Sequence, residues 1–206
     1  MKHPPVEQIL LEKNTPLTSE DKKLFAYFGE GAKIAPPFRI LNPHRIHIGD
    51  RTSIREGAFI NAFLDNRNLM NYIDRKYISD FDEADYLHKG EIFLGNEIQI
   101  GRFLLMSCTN RIELENNVLF SERVFVGDNN HTFSHPAVPI MQQPNKQGTP
   151  LFIGTGTWVG IGAALLAGTK LGRNCVVGAN SVVADEFPDH SVIGMEKAKL
   201  LFKRHE

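Results

Sequence analysis

The chain is poor in cross-linking chemistry and in net charge. It has two cysteines and one tryptophan in 206 residues. Two cysteines cannot build a disulfide framework, so the fold has to rest on an apolar core. Lys and Arg (23) nearly balance Asp and Glu (24), giving a formal charge of −1. That balance offers no general attraction to a phosphate backbone or an anionic bilayer, and nucleic acid is excluded as an expected partner. Any apolar run long enough to span a bilayer or to serve as a signal peptide is missing too, so no membrane insertion is expected and the expected location is the cytoplasm.

What the sequence does contain is a rhythm. Apolar residues fall at Phe28, Ile34, Ile40, Ile48, Ile54, Ile60, Leu94, Ile100, Met106, Leu114, Phe120, Val126, Ile153, Val159, Leu165, Leu171, Val177 and Val183. Most are six apart, the mark of a hexapeptide solenoid. On most rows a small or apolar residue follows each anchor by four, as in Ala58, Val118, Ala163 and Cys175. Two inward side chains per six residues describe a short strand and a turn.

The steps between anchors read 6, 6, 8, 6, 6, 34, 6, 6, 8, 6, 6, 27, then 6 throughout. Every irregular step is a third one. If three hexapeptides close one turn of a triangular prism, all the extra residues leave from one corner, and loops on one face of a solenoid are where partners bind. The expected fold is all-β: about six coils as one domain over 28–195, with excursions at 62–91 and 132–152. A short helical cap is expected over 1–27, where Thr18-Ser19-Glu20-Asp21 reads as a helix start, and a basic helix or tail over 196–206.

The irregular edge is also the polar one. Counting four on from each third-face anchor gives His44, Leu64, Asn110, Asn130, Thr169 and Phe187. Asn110 and Asn130 are then expected to stack on adjacent coils, one strand spacing or roughly 5 Å apart. His131 follows at the corner, and an imidazole with an ordinary pKa of about 6.5 keeps a neutral fraction able to accept a proton. Its other reading is a turn cap. His135, four residues into the loop, is the alternative base.

The stretch Val126-Gly127-Asp128-Asn129-Asn130-His131-Thr132-Phe133 resembles the catalytic corner of the hexapeptide-repeat O-acetyltransferases, which include maltose, galactoside and lipopolysaccharide or capsule sugar acetyltransferases. The match continues through Gly148, Pro150 and Ile153-Gly154-Thr155-Gly156-Thr157-Trp158-Val159-Gly160 to Gly178-Ala179-Asn180-Ser181-Val182-Val183. The resemblance implies a left-handed parallel β-helix, a homotrimer, and active sites between subunits that take acetyl-CoA as cosubstrate and a sugar or glycan as acceptor, without a metal. It also implies roles. His131 matches the general base, and Asn110, with Asn130 beside it, an acceptor-binding position. Trp158 matches a tryptophan beside the cleft, and Ala179 a backbone contact to CoA. Lys199 falls near the nucleotide end of the cofactor. A main-chain N–H near Gly160 and Ile161 would meet the oxyanion. Departures from the family pattern are Asn129 in place of a histidine, Ile161 where some relatives carry serine, Ala184-Asp185, and Met195-Glu196-Lys197-Ala198.

Three other readings compete. N-acetylation of an amino sugar or a nucleotide-linked amino sugar uses the same fold. The gamma-type carbonic anhydrases hold zinc on three histidines; His131 and His135 would supply two, and no third occupies a matching corner. A non-catalytic scaffold would need neither the polar row nor the His131 motif.

Overall fold

The computed structural model describes residues 8–64, 81, 85 and 87–196. These residues form a left-handed parallel β-helix of triangular section. Its first face stacks the strands Tyr27–Phe28, Ile46–Ile48, Glu91–Leu94, Arg111–Leu114, Leu151–Ile153, Lys170–Leu171 and Glu186–Phe187. The second face carries seven strands from Lys33–Ile34 to Val192–Ile193, and the third runs from Phe38–Leu41 to Val182–Val183. Six coils are complete, and a partial seventh closes the stack.

The register follows from the anchors. Ile48 pairs with Leu94, Leu94 with Leu114, Leu114 with Ile153, and Ile153 with Leu171. One anchor therefore lies on the next up the prism, and they form a single column of buried side chains with the small partners between them. Each fully buried isoleucine or leucine contributes about 1.5–3 kcal/mol by leaving water. The turns have a rule of their own. The third residue after an anchor takes a positive φ at most corners: Gly31, Arg51, Glu97, Asn117, Gly156, Asn174 and His190 after the first face, for instance. At the same corner Asn96 Oδ1 accepts from Asp50 N–H, and Asn116 Oδ1 from Asn96 N–H, both at 2.8 Å. Amide side chains thus tie one turn to the next.

At the N-terminal end the chain departs from the expected helical cap. Leu10–Lys13 is an antiparallel strand against Phe38–Leu41, and it covers the first edge of the third face. Among the described residues of this end the α-helix is one turn, Ser19–Lys22, and a capping box joins Thr18 and Asp21 at its start. Residues 1–7 and the tail from Lys197, with Lys199, lie outside the described residues.

All irregular steps leave from one edge, between the third and first faces: 40 to 48, 60 to 94, 106 to 114 and 126 to 153. The feet of both long excursions are pinned together. In the first, Gly90 N–H donates to Phe63 O and His88 N–H to Leu64 O, each at 2.9 Å. In the second, a Cβ on Gly148 would stand 1.6 Å from the carbonyl oxygen of Asp128, so only glycine closes that loop.

Candidate functional site

The inward row of the irregular edge falls two residues earlier than the spacing suggested, and it is only partly polar. The inward positions are Asn42, Ala62, Cys108 and Asp128, all fully buried and all two residues after an anchor. Chain that leaves the prism cannot keep the four-residue offset of a hexapeptide corner, so the last inward slot before departure falls at the second residue. Asn110 and Asn130 therefore do not stack. Asn110 is half-buried, and its amide donates to Gly148 O at 2.8 Å. Asn130 is exposed and belongs to a two-residue strand, Asn130–His131, paired antiparallel with Asn145–Lys146.

Asp128 is the residue that sequence reasoning passed over. Its carboxylate accepts from Thr109 N–H at 2.7 Å, Asn110 N–H at 2.8 Å, Thr109 Oγ1 at 3.1 Å and Cys108 Sγ at 3.3 Å. Thr109 Oγ1 in turn accepts from Gly148 N–H at 2.9 Å. One buried carboxylate thus fastens the corner of the preceding coil to both feet of the second excursion. Burial, with Asp128 beside it, pushes the Cys108 thiol far above the usual range. An acidic residue two positions after the last anchor before a long step was the available signal.

His131 projects from this clasp. Its imidazole is exposed and takes no hydrogen bond among the described residues. Strand pairing continues through Thr132 N–H to Pro144 O at 3.1 Å. Thr132 and Ser134, with Asn145, line a cleft between the two excursions; His131 and the exposed Phe133 are not among its lining residues. His135 packs edge-on against Phe81, ring centroids 6.2 Å apart, inside the loops.

The other candidates lie on a different edge, where the second face turns into the third. Trp158 stands outward on the second face, 47% exposed, with Nε1 donating to Ser121 Oγ at 3.2 Å. The strand register aligns Leu119, Trp158, Val176 and Val192 in one outward apolar column. Gly160 is buried, and its N–H is spent on Val177 O at 2.8 Å, so it is no oxyanion donor. Ile161 and Ala179 are exposed on successive coils. Among the described residues neither of their N–H groups has a hydrogen-bond partner. No group of three or more His, Cys, Asp or Glu side chains converges among the described residues.

The bacterial transferase hexapeptide (six repeats) family matches residues 151–185. A galactoside O-acetyltransferase of Lactococcus lactis subsp. lactis is 32% identical over 194 residues, covering 89% of this chain and 70% of that protein. The chain belongs to the hexapeptide-repeat acetyltransferases. A second member, a probable acetyltransferase of Mycobacterium tuberculosis, is 31% identical over 167 residues, 81% of this chain. The chain spans about half of that relative's length, 54%. Among solved structures, the N-acyltransferase AntD from Bacillus cereus, in complex with dTDP and 3-hydroxybutyryl-CoA, superposes with a TM-score of 0.64. At 17% identity, over 89% of this chain and 86% of that one, it attests the hexapeptide-repeat fold.

Proposed function

We propose that the chain is an acetyl-CoA-dependent O-acyltransferase that acetylates a hydroxyl of a sugar or glycan precursor, with His131 as general base. The observation that carries this reading is the division of the chemistry between two edges. An exposed, unbonded imidazole projects from the irregular edge. Two unspent N–H groups, those of Ile161 and Ala179, flank an apolar outward column on another edge.

In this reading the thioester arm lies along Trp158, Val176 and Val192, and Ala179 N–H meets an amide oxygen of the arm. Neutral His131 accepts the hydroxyl proton as the sugar oxygen attacks the thioester carbonyl carbon. Ile161 N–H meets the oxyanion of the tetrahedral intermediate. The C–S bond then breaks, and the imidazolium returns its proton to the departing thiolate. No covalent acyl-enzyme is formed. Asn110, tied to Gly148, shapes the floor beside the acceptor, and Asn130 its rim. Lys199 is assigned to the nucleotide end of the cosubstrate.

Because the two halves stand on different edges of one prism, they meet only between copies of the chain. The working enzyme is therefore proposed as a homotrimer, with residues 28–195 as its catalytic domain and the cytoplasm as its location. N-acetylation of an amino sugar is the second reading, favoured by the fold shared with AntD.

The test is CoA thiol release from acetyl-CoA with a panel of neutral and amino sugars, wild type against His131→Ala. Loss of a general base lowers kcat by about 10²–10⁴. Release unaffected by the substitution refutes the proposed base. Transfer to amine-bearing acceptors alone selects the second reading.

A further inference from the structure

The cleft between the two excursions has a volume of about 430 Å³, within the ordinary range of roughly 300–1,000 Å³ for small-ligand sites. It opens between Phe81, Asp85, Leu87 and His88 on one side and Thr132, Ser134 and Pro144–Gln147 on the other. We infer that this cleft is a glycan subsite: it holds a neutral sugar unit of the acceptor other than the one acetylated. The inference rests on the reading of the chain as a sugar acyltransferase and adds to it that the acceptor is longer than a monosaccharide.

Three observations carry it. The first is chemical. The wall combines an aromatic ring (Phe81), hydroxyls (Thr132, Ser134), an amide (Asn145), one carboxylate (Asp85) and one ammonium (Lys146). Opposed donors and acceptors around an aromatic surface suit a pyranose with its apolar CH face. Among the described residues a single cation, Lys146, offset by Asp85, does not suit a diphosphate, which calls for paired basic groups or a run of main-chain N–H groups.

The second is an unfilled hydrogen-bonding capacity. Asn145 Oδ1, in the cleft wall, is buried without a hydrogen-bond partner among the described residues, as are Gln142 Oε1 and His135 Nδ1 elsewhere in the second excursion. A buried polar atom left unpaired costs about 1–3 kcal/mol, and hydroxyl donors entering beside Asn145 would relieve part of that cost.

The third is position. Thr132, Ser134 and Asn145 line the cleft, whereas His131, paired with Asn145 across the hairpin, is not among its lining residues. A ring that fills the cleft is therefore not the one whose hydroxyl meets His131, and an acceptor that reaches both has at least two units.

The experiment compares glucose, maltose and maltotetraose, and galactose and lactose, as acceptors in the thiol-release assay. Binding of the same sugars to full-length His131→Ala enzyme is measured by calorimetry. The expected result is a kcat/KM for the longer acceptors higher by about tenfold or more, equivalent to about 1.4 kcal/mol. The difference is expected to lie in KM and to collapse to a ratio near one in Ser134→Trp, which fills the cleft. Lys146→Ala, which truncates an exposed side chain, is the second variant should Ser134→Trp not fold. No preference for length in a wild type that transfers acetyl to sugars overturns the subsite and leaves the functional reading standing. So does the same preference in wild type and both variants, or competition by thymidine diphosphate at the cleft. Oligosaccharide binding that depends on Ser134, in an enzyme that releases no thiol with any sugar, supports the subsite and refutes the acyltransferase reading.

Discussion

Replacing Asp128 by alanine should loosen the whole second excursion without touching the stack beneath it. The carboxylate is fully buried and accepts two main-chain N–H groups, a hydroxyl, a thiol and, at 3.3 Å, the Asn129 amide. Asp128→Ala leaves Thr109 N–H and Asn110 N–H without their acceptor and frees Thr109 Oγ1, which also holds Gly148 N–H. Each stranded group costs about 1–3 kcal/mol. With three such groups, less what an entering water recovers, the loss is roughly 3–6 kcal/mol against a total of about 5–15 for a domain. Asp128→Asn keeps one acceptor but turns an amide donor toward an N–H, so an intermediate loss of about 2–3 kcal/mol is expected. Urea unfolding measures the global term, and limited proteolysis within 132–152 measures the local one. Cleavage there should accelerate in the order wild type, Asn, Ala, and acetyl transfer should fall in the same order as His131 loses its footing. An alanine variant within about 1 kcal/mol of wild type and with an equally resistant loop would refute the clasp.

Both cysteines are buried, and the Cys108 thiol is held neutral by burial and by Asp128. Iodoacetamide at pH 8 should therefore label neither in the native protein and both after unfolding; rapid native labelling of Cys108, followed by mass spectrometry, would contradict its placement. Asp21 bonds Lys13 Nζ at 2.8 Å and closes the Thr18 cap, and these donors lower its pKa from 3.8 to about 2. A depressed carboxylate stabilises the fold above its unfolded pKa and loses that contribution as pH falls through the folded one. The stability it adds is thus complete above pH ~4 and gone near pH 2. Urea midpoints measured from pH 5 to 2 should fall less steeply in Asp21→Asn than in wild type.

The prism was readable from the chain because its code is local. An anchor every six residues sets the strand, the inward direction and the register at once, and the irregular steps of 8, 34, 8 and 27 marked one edge. The polar site was legible only in part. His131 could be placed on that edge, yet the four-residue offset that holds at ordinary corners fails where chain departs. That is why Asn130 lies outside and Asp128, two residues earlier, takes the inward slot. Of the two main-chain groups expected near the oxyanion, that of Gly160 is spent for a related reason: whether an N–H is free depends on the next coil, here Val177 O, and not on its own hexapeptide. The N-terminal strand Leu10–Lys13 escaped notice because its pairing with Phe38–Leu41 is antiparallel and lies outside the repeat.

The pinned feet of the two excursions have an evolutionary corollary. Each leaves and re-enters the tower at neighbouring points, so lengthening one costs only the slowly growing entropy of closing a larger ring, about 0.6 kcal/mol per doubling. Inserts can be swapped, extended or trimmed between such towers while the anchors beneath keep their places. A lineage built this way can change what it recognises at one seam while leaving the rest of its architecture untouched.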